Sequence, residues 1–103
     1  MESFSEKSTK KFTGQIWVND VVQDITEDSV TIYFMTEPNT TPVVSKVADV
    51  SLGDGQYGVT LSKIDTAIIP QKYYYEIWWV LSNGEEYRLE SSGVLVLDST
   101  YKD

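Results

Sequence analysis

Nine consecutive residues, Tyr73-Tyr74-Tyr75-Glu76-Ile77-Trp78-Trp79-Val80-Leu81, hold five aromatic side chains and neither Gly nor Pro. Aromatic and β-branched side chains fit a pleated, half-buried surface, and nothing in the run breaks an extended backbone. The run is therefore predicted to be a central β-strand. Alternation puts Tyr73, Tyr75, Ile77, Trp79 and Leu81 on one face and Tyr74, Glu76, Trp78 and Val80 on the other. The first set is the better core face. The second is too apolar for a plain solvent face.

The same period of two recurs elsewhere. In Ser29–Met35 it sorts Val30, Ile32 and Phe34 from Thr31, Tyr33 and Met35; in 56–62 it sorts Tyr57, Val59 and Leu61 from Gln56, Gly58, Thr60 and Ser62. Shorter strands are predicted over 13–18, 43–50, 85–90 and 93–97, and Val21-Val22 is read as leading from the Asn19-Asp20 turn into the acidic connection 23–29. Between them lie turn signals at Asn19-Asp20, the Pro38–Pro42 loop, Gly53-Asp54-Gly55 and Asn83-Gly84, the last the strongest hairpin signal in the chain. Residues 63–70 are predicted to form one helical turn that Pro70 ends, with Ile64 and Ile68 or Ile69 closing the end of the core. Seven or eight short strands with turns every 8 to 12 residues predict an all-β, antiparallel β-sandwich. Its length of 103 residues corresponds to one domain. Residues 13–98 are expected to form the sandwich, 1–12 a flexible arm or edge segment, and 99–103 a polar tail.

Composition narrows the function. The chain has no Cys and no His, which removes disulfides, thiolate metal sites and the commonest general base. Hydroxyl nucleophiles are plentiful but have no imidazole to activate them. Asp24, Glu27 and Asp28 are close in sequence, yet three acids in a loop are ordinarily solvated charge. Neither they nor Asp54 between its glycines has the ligand spacing of a calcium loop. The chain is thus expected not to be an enzyme and to carry no cofactor. No apolar run is long enough to span a bilayer, and the first residues show no apolar signal segment. The net charge of −8 disfavours binding to phosphate backbones, so neither nucleic acid nor membrane is expected as partner.

Charge and aromatics point instead to protein contacts. Residues 1–12 carry a local +1 from Lys7, Lys10 and Lys11 against Glu2 and Glu6, and the rest of the chain carries −9. Such an arm is suited to an acidic surface, with Lys10 and Lys11 as its charges and Phe4 as an anchor in a partner's groove. Tyr74 and Trp78, out of phase with the core set, have three readings: stacking on sugar rings, a protein interface, and burial beneath another strand. Interface cores are enriched in aromatic residues, which favours the second.

The chain also resembles a known family. The segment Asp24-Ile25-Thr26 and the strand ending at Phe34 are followed by Gly58-Val59-Thr60-Leu61-Ser62-Lys63-Ile64-Asp65-Thr66. Ile69-Pro70, Tyr73-x-Tyr75-Glu76-Ile77, a Ser-Asn-Gly turn and Gly93-Val94-Leu95-Val96 complete the pattern. This order and spacing, covering 14–98, is similar to the small immunoglobulin-like domains of tailed-bacteriophage virions, such as the N-terminal domain of baseplate upper proteins. Gln71 stands where such sequences commonly have a glycine. The resemblance implies an immunoglobulin-like sandwich located in the virion: a tail, baseplate, neck or capsid-associated structural protein. It would occur in many symmetric copies bound to other virion proteins, here as a stand-alone version ending at Asp103. A carbohydrate- or host-surface-binding module is the alternative.

Overall fold

The alternating segments become nine strands, with no helix among residues 2–97, the part of the chain that the computed structural model describes. In order they are β1 (Glu2–Ser5), β2 (Lys10–Gln15), β3 (Trp17–Val18), β4 (Val21–Val22), β5 (Ser29–Met35), β6 (Val44–Val47), β7 (Gln56–Leu61), β8 (Lys72–Val80) and β9 (Glu86–Leu97). Five of them form one sheet in the order β1-β9-β8-β5-β6, curled into a half-barrel. β2 and β7 make a two-stranded ribbon, and β3 and β4 a short hairpin. Every pairing is antiparallel except β1 with β9.

Period two does the sorting as expected. Val30, Ile32 and Phe34 of β5, Tyr73, Tyr75, Ile77 and Trp79 of β8, and Val94 and Val96 of β9 are buried on the concave face. The ribbon closes that face with Phe12, Tyr57, Val59 and Leu61, all buried in the same cluster. Each large apolar side chain so buried contributes about 1.5–3 kcal/mol relative to exposure. Aromatic rings tie the two layers together, with Phe12 lying 5.9 Å from Phe34 and 5.2 Å from Tyr75 between ring centroids. Tyr73 reaches back with its hydroxyl to donate to the Ile69 carbonyl at 2.7 Å, so its polar tip is satisfied within the core.

Turn chemistry follows the residues. Asn19 and Asp20 both adopt positive φ, the requirement of a tight two-residue hairpin between β3 and β4. Between β8 and β9 a bond from Leu81 N to the Glu85 carbonyl closes Ser82-Asn83-Gly84, in which Gly84 alone has positive φ. Gly55 is buried at φ +67, and an added Cβ would stand 2.7 Å from the Gln23 carbonyl oxygen. Only glycine fits there.

Several sequence expectations are corrected. Residues 1–12 are not a free arm: β1 pairs along β9, and β2 begins at Lys10 and pairs along β7. The cause is Phe4 and Phe12, each 7% exposed, whose rings lie 6.0 and 5.9 Å from Phe34. The strand expected over 13–18 starts earlier and breaks at buried Ile16, where the hairpin leaves the ribbon. The two strands expected over 85–90 and 93–97 are one, β9, with a bulge opposite Ile77/Trp78. Ser91-Ser92-Gly93 stays extended because its backbone is held by β8 along its length. Strand β6 is shorter than 43–50, with a single bridge from Asp49 to Gly58 beyond it. Of the isoleucines expected to close the core, Ile68 packs against it half-buried, whereas Ile64 and Ile69 are 86% and 72% exposed, and the fully buried residue of that connection is Thr66. The tail expected over 99–103 lies outside the described residues.

Candidate docking surface

The convex face of the five-stranded sheet is built by the out-of-phase residues of its strands. From β8 come Tyr74, Glu76, Trp78 and Val80, all half-buried, and Thr31 and Tyr33 of β5 lie beside them. Across the β8–β9 pairing Trp78 stands opposite Arg88, and Tyr74 opposite Gly93. Val47 of β6 and Leu95 of β9 extend the face toward its edges, at 66% and 37% exposure. No described strand packs over this face: the ribbon and the hairpin belong to the concave side. Met35, in the same phase on β5 and opposite Tyr74, is buried at the end of this face.

Glu76 organises the centre. Its Oε1 accepts a hydrogen bond from Trp78 Nε1 at 3.0 Å, and its Oε2 pairs with Arg88 Nη1 at 3.4 Å. One carboxylate thereby ties the indole and the chain's single Arg to the same patch. At the other end of β8, Lys72 Nζ sits 5.0 Å from the centroid of the Tyr74 ring. Trp, Tyr and Arg are the residues that carry most binding energy where proteins meet.

The residues singled out from sequence do not form one surface. Tyr74 and Trp78 lie on this face. Phe4 is not the exposed anchor expected: it is in the core, its ring packed against Phe34. Lys10 and Lys11 lie on β2, in the ribbon; Lys10 Nζ is 5.3 Å from the Phe12 ring centroid, and Lys11 is exposed opposite Thr60. The acidic loop is committed to structure. Asp24 Oδ1 accepts from Thr26 backbone and hydroxyl, which lowers its pKa, while Asp28 accepts from Trp79 Nε1 at 2.9 Å and Ser82 N at 3.0 Å. Asp28 therefore ties its loop to the β8–β9 hairpin.

Sequence reasoning missed a second feature at that end. A groove of about 510 Å³ opens between the β3–β4 hairpin and the start of β9, lined chiefly by Trp17, Val18, Trp79, Leu81, Tyr87 and Leu89. Trp17 and Tyr87 are 55% and 47% exposed. Tyr87 donates to Glu85 Oε2 at 2.8 Å, which raises the phenol's pKa, and its ring lies 5.6 Å from Trp79. The available signal was Trp17 beside an Asn-Asp turn, an aromatic carried on a hairpin too short to bury it. No protein-family model matches the chain, and no curated protein matches it.

Proposed function

We propose that the chain is a non-enzymatic structural component of a tailed-bacteriophage virion, an immunoglobulin-like β-sandwich that docks onto other virion proteins through the convex face of its five-stranded sheet. The observation that carries the docking is that face itself: Trp78, Tyr74, Tyr33 and Arg88 gathered on a surface no described strand covers. Half-buried aromatics beside an oriented Arg fit the core of a protein interface, where charge is otherwise sparse. The virion setting is inferred from the likeness of 14–98 to small phage domains.

Connectivity supports the immunoglobulin-like reading. In such sandwiches strands C, F and G share a sheet that C′ extends, while B and E lie in the facing layer. Here β5, β8, β9 and β6 take the first set of places and β2 and β7 the second, with β1 added beside β9. The bond from Tyr73, near the start of β8, back to the Ile69 carbonyl is that of a tyrosine corner. Two residues further on, where an antibody domain has the second Cys of its B–F bridge, stands Tyr75. Its ring meets Phe12 of β2, and Phe34 of β5 packs against both. An aromatic triad thus occupies the place of the bridge and its packed Trp, in a chain without cysteine.

The test is substitution on either face of one strand. Trp78→Ser and Tyr74→Ser should keep the wild-type circular dichroism spectrum and lower incorporation into particles, whereas Trp79→Ser should unfold the domain. Wild-type incorporation of both convex-face variants would sink the docking. Quenching of tryptophan fluorescence by glycans, with no binding to particles, would move the function to a carbohydrate-binding module.

A further inference from the structure

The two ends of the molecule are unlike, and each has what the other lacks. At one end lies the apolar groove floored by Trp79, Leu81 and Leu89 and flanked by Trp17, Val18 and Tyr87. The connections around it, 16–28 and 81–86, carry Asp20, Asp24, Glu27, Asp28, Glu85 and Glu86 and neither Lys nor Arg. Nine-residue β8 leads from the opposite end of the sheet to this one, a run of about 26 Å at strand rise.

At that opposite end, the connection between β7 and β8 turns Ile64 and Ile69 out into solvent. The projection is held firmly. Ser62 N and Oγ bond to Asp65, which also pairs with Lys46 at 3.1 Å, and buried Thr66 bonds through its hydroxyl to the Ser8 carbonyl at 2.6 Å. Around it stand the exposed cations Lys7, Lys63 and Lys72; Lys7 is fixed there by its backbone bond to the Thr66 carbonyl. Glu6 and Glu37 share this end, and Asp65 beside Ile64 is paired with Lys46, while Lys63 adjoins Ile64 on its other side and Lys72 follows Ile69 past Pro70 and Gln71.

We infer that copies of this chain associate head to tail, the Ile64–Ile69 knob of one seated in the Trp17–Tyr87 groove of the next. Apolar knob meets apolar groove, and the lysine flank meets the carboxylate rim. Charge complementarity selects a second copy as the occupant: the complement of each end is carried by the same chain. The contact is heterologous, so it builds a ring if the rotation closes and a filament if it does not. It uses neither Tyr74 nor Trp78; of the residues placed on the convex face it shares only Lys72, beside Tyr74.

Sedimentation velocity of the full chain tests it, with two classes of variant. The knob variant is Ile64→Asp with Ile69→Asp; the groove variants are Trp17→Ser and Val18→Asp, on side chains exposed enough to spare the core, with folding checked by circular dichroism. Wild type should show association that grows with concentration and weakens at about 0.5 M salt, where screening acts within a few Å. Each variant alone should remain monomeric. An equimolar mixture of the knob variant with either groove variant should give a 1:1 dimer and nothing larger, because one intact knob and one intact groove remain. Monomeric wild type at every concentration, association by any variant alone, or a mixture that stays monomeric would overturn the inference.

Discussion

Replacing Phe4 by Ala should destabilise the whole domain, although the residue lies four positions from the start of a polar, lysine-bearing segment. The side chain is 7% exposed, packs with Phe34 at 6.0 Å between ring centroids, and sits in β1 opposite Val96 of β9. Core Phe→Ala substitutions cost about 3–5 kcal/mol, and an edge strand that can partly collapse into the space places this one near 3 kcal/mol. With a urea slope of about 1.5 kcal/mol per molar for a domain of this size, the midpoint should fall by about 2 M. Urea unfolding followed by tryptophan fluorescence measures it directly, since Trp79 is buried in the same core. A midpoint within about 0.3 M of wild type, well inside the shift this burial requires, would refute the reasoning. The segment would then be the loose arm that its composition suggests.

Gly55→Ala should lower the melting temperature by roughly 10 °C or more: the left-handed backbone alone costs about 1–2 kcal/mol, and the new Cβ would meet the Gln23 carbonyl oxygen at 2.7 Å. Calorimetry that finds no shift would show that the Gly53–Gly55 turn relaxes freely. Thr66→Val removes the hydroxyl that accepts from Ser8 N and donates to the Ser8 carbonyl, and should cost about 2–3 kcal/mol in urea unfolding despite equal volume. The carboxyl of Asp65 is held below its ordinary 3.8 by the Ser62 backbone hydrogen bond first and the Lys46 side chain next. A depressed carboxylate pKa supplies stability that is present above the unfolded value and lost as pH falls through the folded one. Wild type should therefore exceed Asp65→Asn in stability at pH 6, with the two curves converging below 3.8; parallel curves down to acid unfolding would contradict this.

The parts of the fold that were legible are those in which each residue's neighbours carry the signal. Tyr57, Val59 and Leu61 of β7, and Tyr73, Tyr75, Ile77 and Trp79 of β8, recur strictly at every second position, and all land in the core as period two requires. The Asn19-Asp20 turn was legible for the same local reason. What escaped was decided by distant partners. β1 has one buried apolar side chain between polar residues, too few to show a period, and becomes a strand only because β9 presents an open edge beside it. Ser91-Ser92-Gly93 has turn composition, yet register with Tyr73–Glu76 keeps it extended. Ile64, and Ile68 or Ile69, looked like core because they are apolar; Ile68 does pack against it, but buried Thr66 pulls the connection inward and leaves Ile64 and Ile69 turned out. On the candidate surface, phase alone placed Tyr74 and Trp78 correctly off the core. The part of Glu76 in orienting Trp78 and Arg88 required the β8–β9 register, and the bulge that brings Arg88 opposite Trp78 leaves no local mark.

Docking in a virion is the central claim, and cross-linking mass spectrometry of purified phage particles tests it most directly. Lys72 lies beside Tyr74 on the convex face, its Nζ 5.0 Å from the ring centroid, and is an amine that an amine-reactive linker will capture. The expected result is this chain in the particles at many copies, with Lys72 linked to a second virion protein. Its absence from purified particles, or its presence with Lys72 linked to no other protein, would contradict the account.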